Sequence, residues 1–168
     1  TAIVAGVGPG PYTGLRTGLV TARVLGAALG TGVHGVCTLD VIASDAVAAA
    51  AGRSVLVATD ARRHEVYWAR YSPAGERLSG PGVAAPASLP AGLPTAGEGV
   101  VAYPGLLGEP IAPRFPSAAA LAGLAARRLA AGDGLLPPEP LYLRRPDARV
   151  PGPPKSVLTA TGRASRAA

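Results

Sequence analysis

Between an apolar run ending at Val7 and an amphipathic stretch beginning at Leu15, the chain reads Gly8-Pro9-Gly10-Pro11-Tyr12-Thr13-Gly14. A glycine loop that opens a helix can hold an anion, because helix-start N–H groups and the helix dipole both favour negative charge. The spacing Gly8-x-Gly10-x-x-x-Gly14 matches neither the dinucleotide fingerprint nor a Walker A loop with its Lys-Ser/Thr pair. Pro9 and Pro11 also remove two donors that a phosphate cradle would use. Two readings stay open for this loop, a rigid turn and a phosphate site. Cys37 is a second chemical candidate, with His34 three residues before it. Alternation along a strand sends positions 34 and 37 to opposite faces, which argues against a dyad. Cys37 reads instead as a small buried hydrophobe. His34 and His64 have no acidic or cysteine partner at ligand spacing, so no metal site is expected. Asp60 and Glu65 flank a short polar turn beside Arg62 and Arg63. They read as turn and pairing residues, since acid/base work needs both carboxylates converging on a cleft.

The elements that must position these residues follow from periodicity. Ala2–Val7 has the length and β-branched content of a buried strand, and a helix follows the loop, with Thr13 or Thr17 as its cap. Leu15, Leu19, Ala22, Leu25 or Gly26, and Leu29 form one helical stripe, and Gly30 and Gly32 supply the left-handed stop. Val20, Val24, Ala27 and Ala28 make the helix apolar outside that stripe as well. A helix apolar nearly all round is covered on two sides, so a partner helix is the expected second occupant, approaching closely over Gly18, Ala22, Gly26 and Ala27. Val33–Cys37 reads as a second strand parallel to the first, and Thr38 as the cap of a helix from Leu39 to about Ala51. Ser54–Thr59 and Glu65–Tyr71 form a hairpin across the turn at Asp60–Arg63. Residues 72–93 read as a Gly/Pro-rich connector with at most a short strand near Gly75–Leu78. Thr95–Tyr103 offers a short strand and glycine turn, and Ser117 caps a helix to about Ala131 with Leu121, Leu124, Ala125 and Leu129 as its stripe. Beyond it, an extended proline-rich segment is expected to be pinned by Tyr142 and Leu143.

The stretch GVGPGPYTGLRTGLVTARVLGAALG, continued by VHGVCTLDVIA, resembles the GPGSFTGLR-type loop and following helix of the bacterial TsaB (YeaZ) family. The likeness continues through VLVATDARRHEVYWARY at residues 55–71 and is fainter at Gly97–Val100 and Pro140–Arg144, spanning about Thr1 to Arg145. Pro11-Tyr12 stands where that family has Ser-Phe, keeping the aromatic. The resemblance implies an α/β fold of the actin/Hsp70/sugar-kinase (RNase H-like) class with two lobes. The family carries a hairpin and helix ahead of the first strand found here, so the sequence is expected to enter the first lobe part-way, leaving it truncated. On that reading residues 1–53 belong to the N-terminal lobe, 54–147 to the C-terminal lobe and 148–168 to a disordered basic tail.

The resemblance implies a scaffold without reacting groups: a dimerisation subunit that binds the TsaD paralogue, which modifies the adenosine beside the tRNA anticodon. A TsaE-like ATPase would dock on the pair, tRNA would be met indirectly through the complex, and a homodimer is possible. No cofactor is expected on this chain, since ATP and metal would sit on the partners. The residues expected at the partner interface are Pro9, Gly10, Tyr12, Thr13, Gly14, Arg16, Ala22, Arg23 and Gly26. The alternative is an ATP-binding phosphotransferase-like enzyme using Gly8–Gly14 as its phosphate loop.

Charge gives little support to a nucleic-acid surface. The formal net charge is +6, but residues 1–148 carry 12 basic against 10 acidic residues, and the surplus lies mostly in residues 149–168. An RNA-binding accessory role would therefore rest on the tail alone. One cysteine and the lack of a signal-like or long apolar segment fit a reducing cytoplasm, with no membrane partner.

Overall fold

The structure is a computed structural model and describes residues 1–144. The expected basic tail at 148–168 lies outside the described residues. The chain opens on a strand-helix-strand unit: β1 (Ile3–Gly6), α1 (Tyr12–Leu29) and β2 (Val33–Val36). β1 and β2 pair in parallel, with Ile3 opposite Val33 and Gly6 opposite Val36. Neither Thr13 nor Thr17 caps α1. Pro11 occupies the cap position with φ −58° and no side-chain hydrogen bond, so the helix starts at Tyr12 and Thr13 is already inside it. Gly30 closes α1 in the left-handed conformation at φ 60°, and its N–H donates to the Gly26 carbonyl.

α2 (Thr38–Ala49) begins directly after β2, with Cys37 at its cap position and no side-chain bond from Thr38 to its backbone. Next come β3 (Val55–Asp60), β4 (Val66–Tyr71), β5 (Arg77–Ala84), β6 (Thr95–Ala96), α3 (Gly99–Ala102), β7 (Pro110–Ile111) and α4 (Ala118–Ala130). These strands form one mixed sheet in the order β5-β4-β3-β6-β7. β3 is buried on both faces, which is why it reads as an unbroken apolar run. Val55 and Val57 meet Leu39, Ile42, Ala43 and Ala46 of α2, while Leu56 and Ala58 meet Leu89, Val100 and Leu107 on the other side.

The region read as a connector contains the longest strand. β5 takes in Gly80-Pro81-Gly82, a composition that hides a strand, but it lies at the sheet edge, where proline leaves no ladder bond unmade. Gly80 sits at φ 85° beside a register irregularity, and a Cβ there would come within 2.7 Å of the Trp68 carbonyl oxygen. The expected strand over Thr95–Tyr103 stops after Ala96. Gly97, at φ 101°, turns the chain against Ala58, and α3 follows.

α4 starts where its cap predicts: the Ala120 N–H donates to Ser117 Oγ at 3.0 Å. Ala125, Leu121 and Leu124 pack against Val36 and Val41, so this late helix covers the first strand pair and α2. The chain then runs back along β2, with Leu136 and Gly35 exchanging backbone hydrogen bonds of 3.0 and 2.7 Å, and Leu141 N–H donating to the Val7 carbonyl at 2.7 Å. Leu141 takes the pinning role expected of Leu143.

Candidate functional site

The loop after β1 is a rigid element packed into the fold. Gly8 stands at φ 96°, where a Cβ would lie 3.0 Å from Leu15 Cδ2, and its carbonyl accepts from Thr38 N–H at 2.8 Å. Pro9 beside it is buried. The loop thus fixes the direction of α1 by its backbone, which favours the rigid-turn reading. It also corrects one expectation: Pro9 is covered by the chain's own fold and offers no surface to a partner.

Two faces of α1 diverge sharply. Leu19, Ala22 and Gly26 are buried and Leu15 is half-buried, so the inward stripe runs through Gly26 and not through Leu25 or Leu29. Ala22 and Gly26, expected on the partner side, are therefore corrected to the core side. A Cβ on Gly26 would fall 2.3 Å from Val33 Cγ2, because helix and strand approach most closely there. Thr13, Gly14, Arg16 and Arg23 of the expected interface are exposed, and Gly10 is half-buried. On the side of α1 opposite the core, Thr13, Thr17, Val20, Val24 and Ala28 form an exposed stripe without a charge. Val20 and Val24 are each 61% exposed there, and Leu29 at the helix end is 68% exposed.

The start of α1 also forms one wall of a cleft of about 600 Å³, with the β3–β4 turn and the segment around Tyr142 as its other walls. Tyr12 stacks on Tyr142 with ring centroids 5.5 Å apart and planes 24° from parallel. The Arg16 guanidinium lies 4.1 Å from the Tyr12 ring centroid, and its Nε donates to the Tyr142 hydroxyl at 2.7 Å. Arg62, Arg63 and Arg144 line the same cleft. Asp60 does the turn and pairing work expected of it beside Arg62, whereas Glu65 finds its partner in Arg144 and not in Arg62 or Arg63. Asp60 accepts from Arg62 N–H at 2.8 Å and from the Tyr103 hydroxyl at 3.2 Å. Arg62, Arg63 and His64 all sit at positive φ, at 62°, 57° and 60°.

The other candidate nucleophile and acid are built into the core. Cys37 is buried, and burial together with the Asp40 carboxylate pushes its thiol pKa up, away from thiolate chemistry. Asp40, in the first turn of α2, is 3% exposed and carries a buried polar network. Its Oδ1 accepts from the Tyr71 hydroxyl, and its Oδ2 from Arg77 and Arg128, each at 2.8 Å. Those partners lie 31, 37 and 88 residues away, so no local spacing could reveal them. Among the described residues no group of three or more His, Cys, Asp or Glu is placed to hold a metal ion. Among the same residues, no helix is long and apolar enough to cross a membrane.

Comparison with known proteins places this geometry. A family model described as TsaD, tRNA N6-adenosine threonylcarbamoyltransferase, matches residues 1–104. An uncharacterised protein of Mycobacterium tuberculosis is 46% identical over 149 residues, covering 88% of this chain and 66% of that protein. The tRNA threonylcarbamoyladenosine biosynthesis protein TsaB of Escherichia coli is 41% identical over 70 residues, covering 42% of this chain and 30% of that protein. The chain thus spans no more than 66% of these two curated relatives. The solved structure of YeaZ from Pseudomonas aeruginosa superposes with a TM-score of 0.71 at 28% identity, over 84% of this chain and 74% of that one.

Proposed function

The chain belongs to the TsaB (YeaZ) family, and on that premise we propose that it is a non-catalytic subunit of the machinery for tRNA threonylcarbamoyladenosine synthesis, pairing with a TsaD-type subunit through α1. The observation that carries this reading is the uncharged outward stripe of α1. The helix holds Val20 and Val24 in solvent while Thr13, Thr17 and Ala28 on the same side leave room for a second helix to approach. An exposed apolar strip of this length marks an interaction surface. The non-catalytic part is supported by the way candidate reactive groups are engaged: Cys37 is buried and Asp40 is saturated by two guanidiniums and a phenol. ATP and metal chemistry are assigned to the TsaD-type subunit and a TsaE-type ATPase.

The test is a charge on the outward stripe. Val24→Glu places a carboxylate where the partner must pack, and burying it unpaired costs several kcal/mol, more than most interface residues contribute. Val24→Glu is expected to melt within about 2 °C of the parent, because exposed substitutions rarely move stability by more than ~0.5 kcal/mol. It is also expected to lose co-purification with the TsaD-type subunit. Normal co-purification of a folded Val24→Glu protein would overturn the reading, and self-association lost in its place would make the occupant a second copy of this chain.

A further inference from the structure

The α1 stripe does not account for the cleft at the other flank of the helix start, and we infer that this cleft receives a nucleotide unit of single-stranded RNA, its base stacked on the Tyr12–Tyr142–Arg16 platform and its phosphate held by Arg62, Arg63 and Arg144. This deepens the proposed role in tRNA modification and rests on it, since that role brings tRNA to the complex. Charge spread along the chain hides the site. In space, four of the arginines of residues 1–148 converge on this one cleft, where Arg62 pairs with Asp60 and Arg144 with Glu65, leaving a net positive charge.

The chemistry fits the two halves of a nucleotide. Tyr12 and Tyr142 are both about half exposed, and a pair of phenol rings left open to water in a concave site is a surface for another planar group. Arg16 holds that pair in place, lying over one ring and bonded to the hydroxyl of the other, so the platform is ordered before any ligand arrives. A base finds the same kind of face on aromatic rings and on guanidinium planes. Across the cleft, Arg62 and Arg63 stand at the tip of the β3–β4 turn, where three successive non-glycine residues keep left-handed backbone angles. Such angles cost on the order of 1–2 kcal/mol each and persist where surrounding structure imposes them, often beside ligands. The cleft volume of about 600 Å³ lies within the range of small-molecule sites. An acidic peptide would use the guanidiniums and leave the ring platform without a purpose. A free nucleoside triphosphate would lean on the loop, where Pro9 and Pro11 withhold donors. RNA uses both walls.

The experiment measures binding of a 17-nucleotide anticodon stem–loop RNA to the complex of this chain with the TsaD-type subunit, with AMP and ATP as parallel free ligands. Tyr142→Ala is expected to weaken RNA binding about tenfold, the loss of one stacked base, and Arg63→Ala to flatten the salt dependence by about 0.7 in log K against log salt. Arg127→Ala, exposed on α4 and outside the cleft, serves as the control and should leave RNA affinity and its salt dependence as in the parent. Melting curves and co-purification with the TsaD-type subunit are recorded for every variant and are expected to match the parent. The inference is overturned if Tyr142→Ala binds RNA like the parent, if Arg127→Ala weakens binding as much, or if AMP and ATP bind as tightly as the stem–loop and in the same cleft. Partner capture without cleft-dependent RNA binding sinks this inference alone, whereas cleft-dependent RNA binding with partner capture insensitive to Val24→Glu sinks the α1 reading alone.

Discussion

Replacing Asp40 should be among the most damaging single changes in the described fold, and the size of the effect can be worked from its contacts. The carboxylate is buried on α2 and bonds at 2.8 Å to Tyr71 of β4, Arg77 of β5 and Arg128 of α4, so one side chain ties the five-stranded sheet to the helix that covers β1 and β2. Breaking a buried ion pair from one side costs about 3–5 kcal/mol, because the partner charges stay behind uncompensated. Arg77 and Arg128 retain side-chain exposures of 31% and 29%, so water can recover part of their solvation and the lower end applies, about 3 kcal/mol for Asp40→Ala. For a chain of this size each kcal/mol shifts the melting temperature by about 2–4 °C, giving a fall of about 6–12 °C. Asp40→Asn keeps an acceptor for the Tyr71 hydroxyl and should fall between parent and alanine. Replacing all three charges together, Asp40→Leu with Arg77→Met and Arg128→Met, should recover much of the loss, since a buried ionic cluster exchanged for apolar groups is often neutral. Differential scanning calorimetry of the four proteins makes the comparison. An Asp40→Ala variant melting within about 2 °C of the parent would mean that the Asp40 network does not hold these elements together.

Three further outcomes follow from the same structure. Leu19→Ala, on the inward stripe of α1, should lose about 2–5 kcal/mol in denaturant unfolding, and Gly26→Ala about 1–3 kcal/mol because its new methyl meets Val33. Ala22→Glu and Gly26→Glu should fail to fold cooperatively, which near-ultraviolet circular dichroism would show as lost side-chain order, because both positions face the chain's own core. Alkaline titration should destabilise the fold: burial raises the Cys37 thiol above its ordinary 9.0 and the Tyr71 phenol above its ordinary 10.0. The folded state then keeps protons that the unfolded state releases, so stability is complete below about pH 9 and falls as pH rises beyond it. Melting temperatures between pH 8 and pH 11 check this, and Cys37→Ala should remove the first part of the decline.

How much of this was legible depended on whether the deciding contact was local. The strand-helix-strand opening and the β3–β4 hairpin announce themselves through apolar runs punctuated by Gly30 and by the Asp60–Arg63 turn, and Ser117 caps α4 through its own third neighbour. The orientation of α1 was harder. A stripe of Leu15, Leu19 and Ala22 can be continued by Leu25 or by Gly26, and hydrophobicity favours leucine, whereas close packing against Val33 selects glycine. The start of α1 was similarly misleading, because Thr13 is a good cap by type but Pro11 already fixes the helical entry. β5 was hidden by Gly80-Pro81-Gly82, whose turn chemistry outweighs an edge strand in any local reading. The cleft had no local signal at all. Tyr12 and Tyr142 are neighbours only because Leu141 returns to Val7, and Asp40 finds Arg128 only because α4 folds back over α2.

Pairing through α1 is decided by where the TsaD-type subunit touches this helix. A photoreactive phenylalanine analogue placed at Val24, and separately at Asp133 beyond the end of α4, would be irradiated in the reconstituted complex and the crosslinked peptides identified. A crosslink is expected from position 24 into a helix of the TsaD-type subunit and none from position 133. A complex that forms fully while position 24 captures nothing from its partner would contradict pairing through α1.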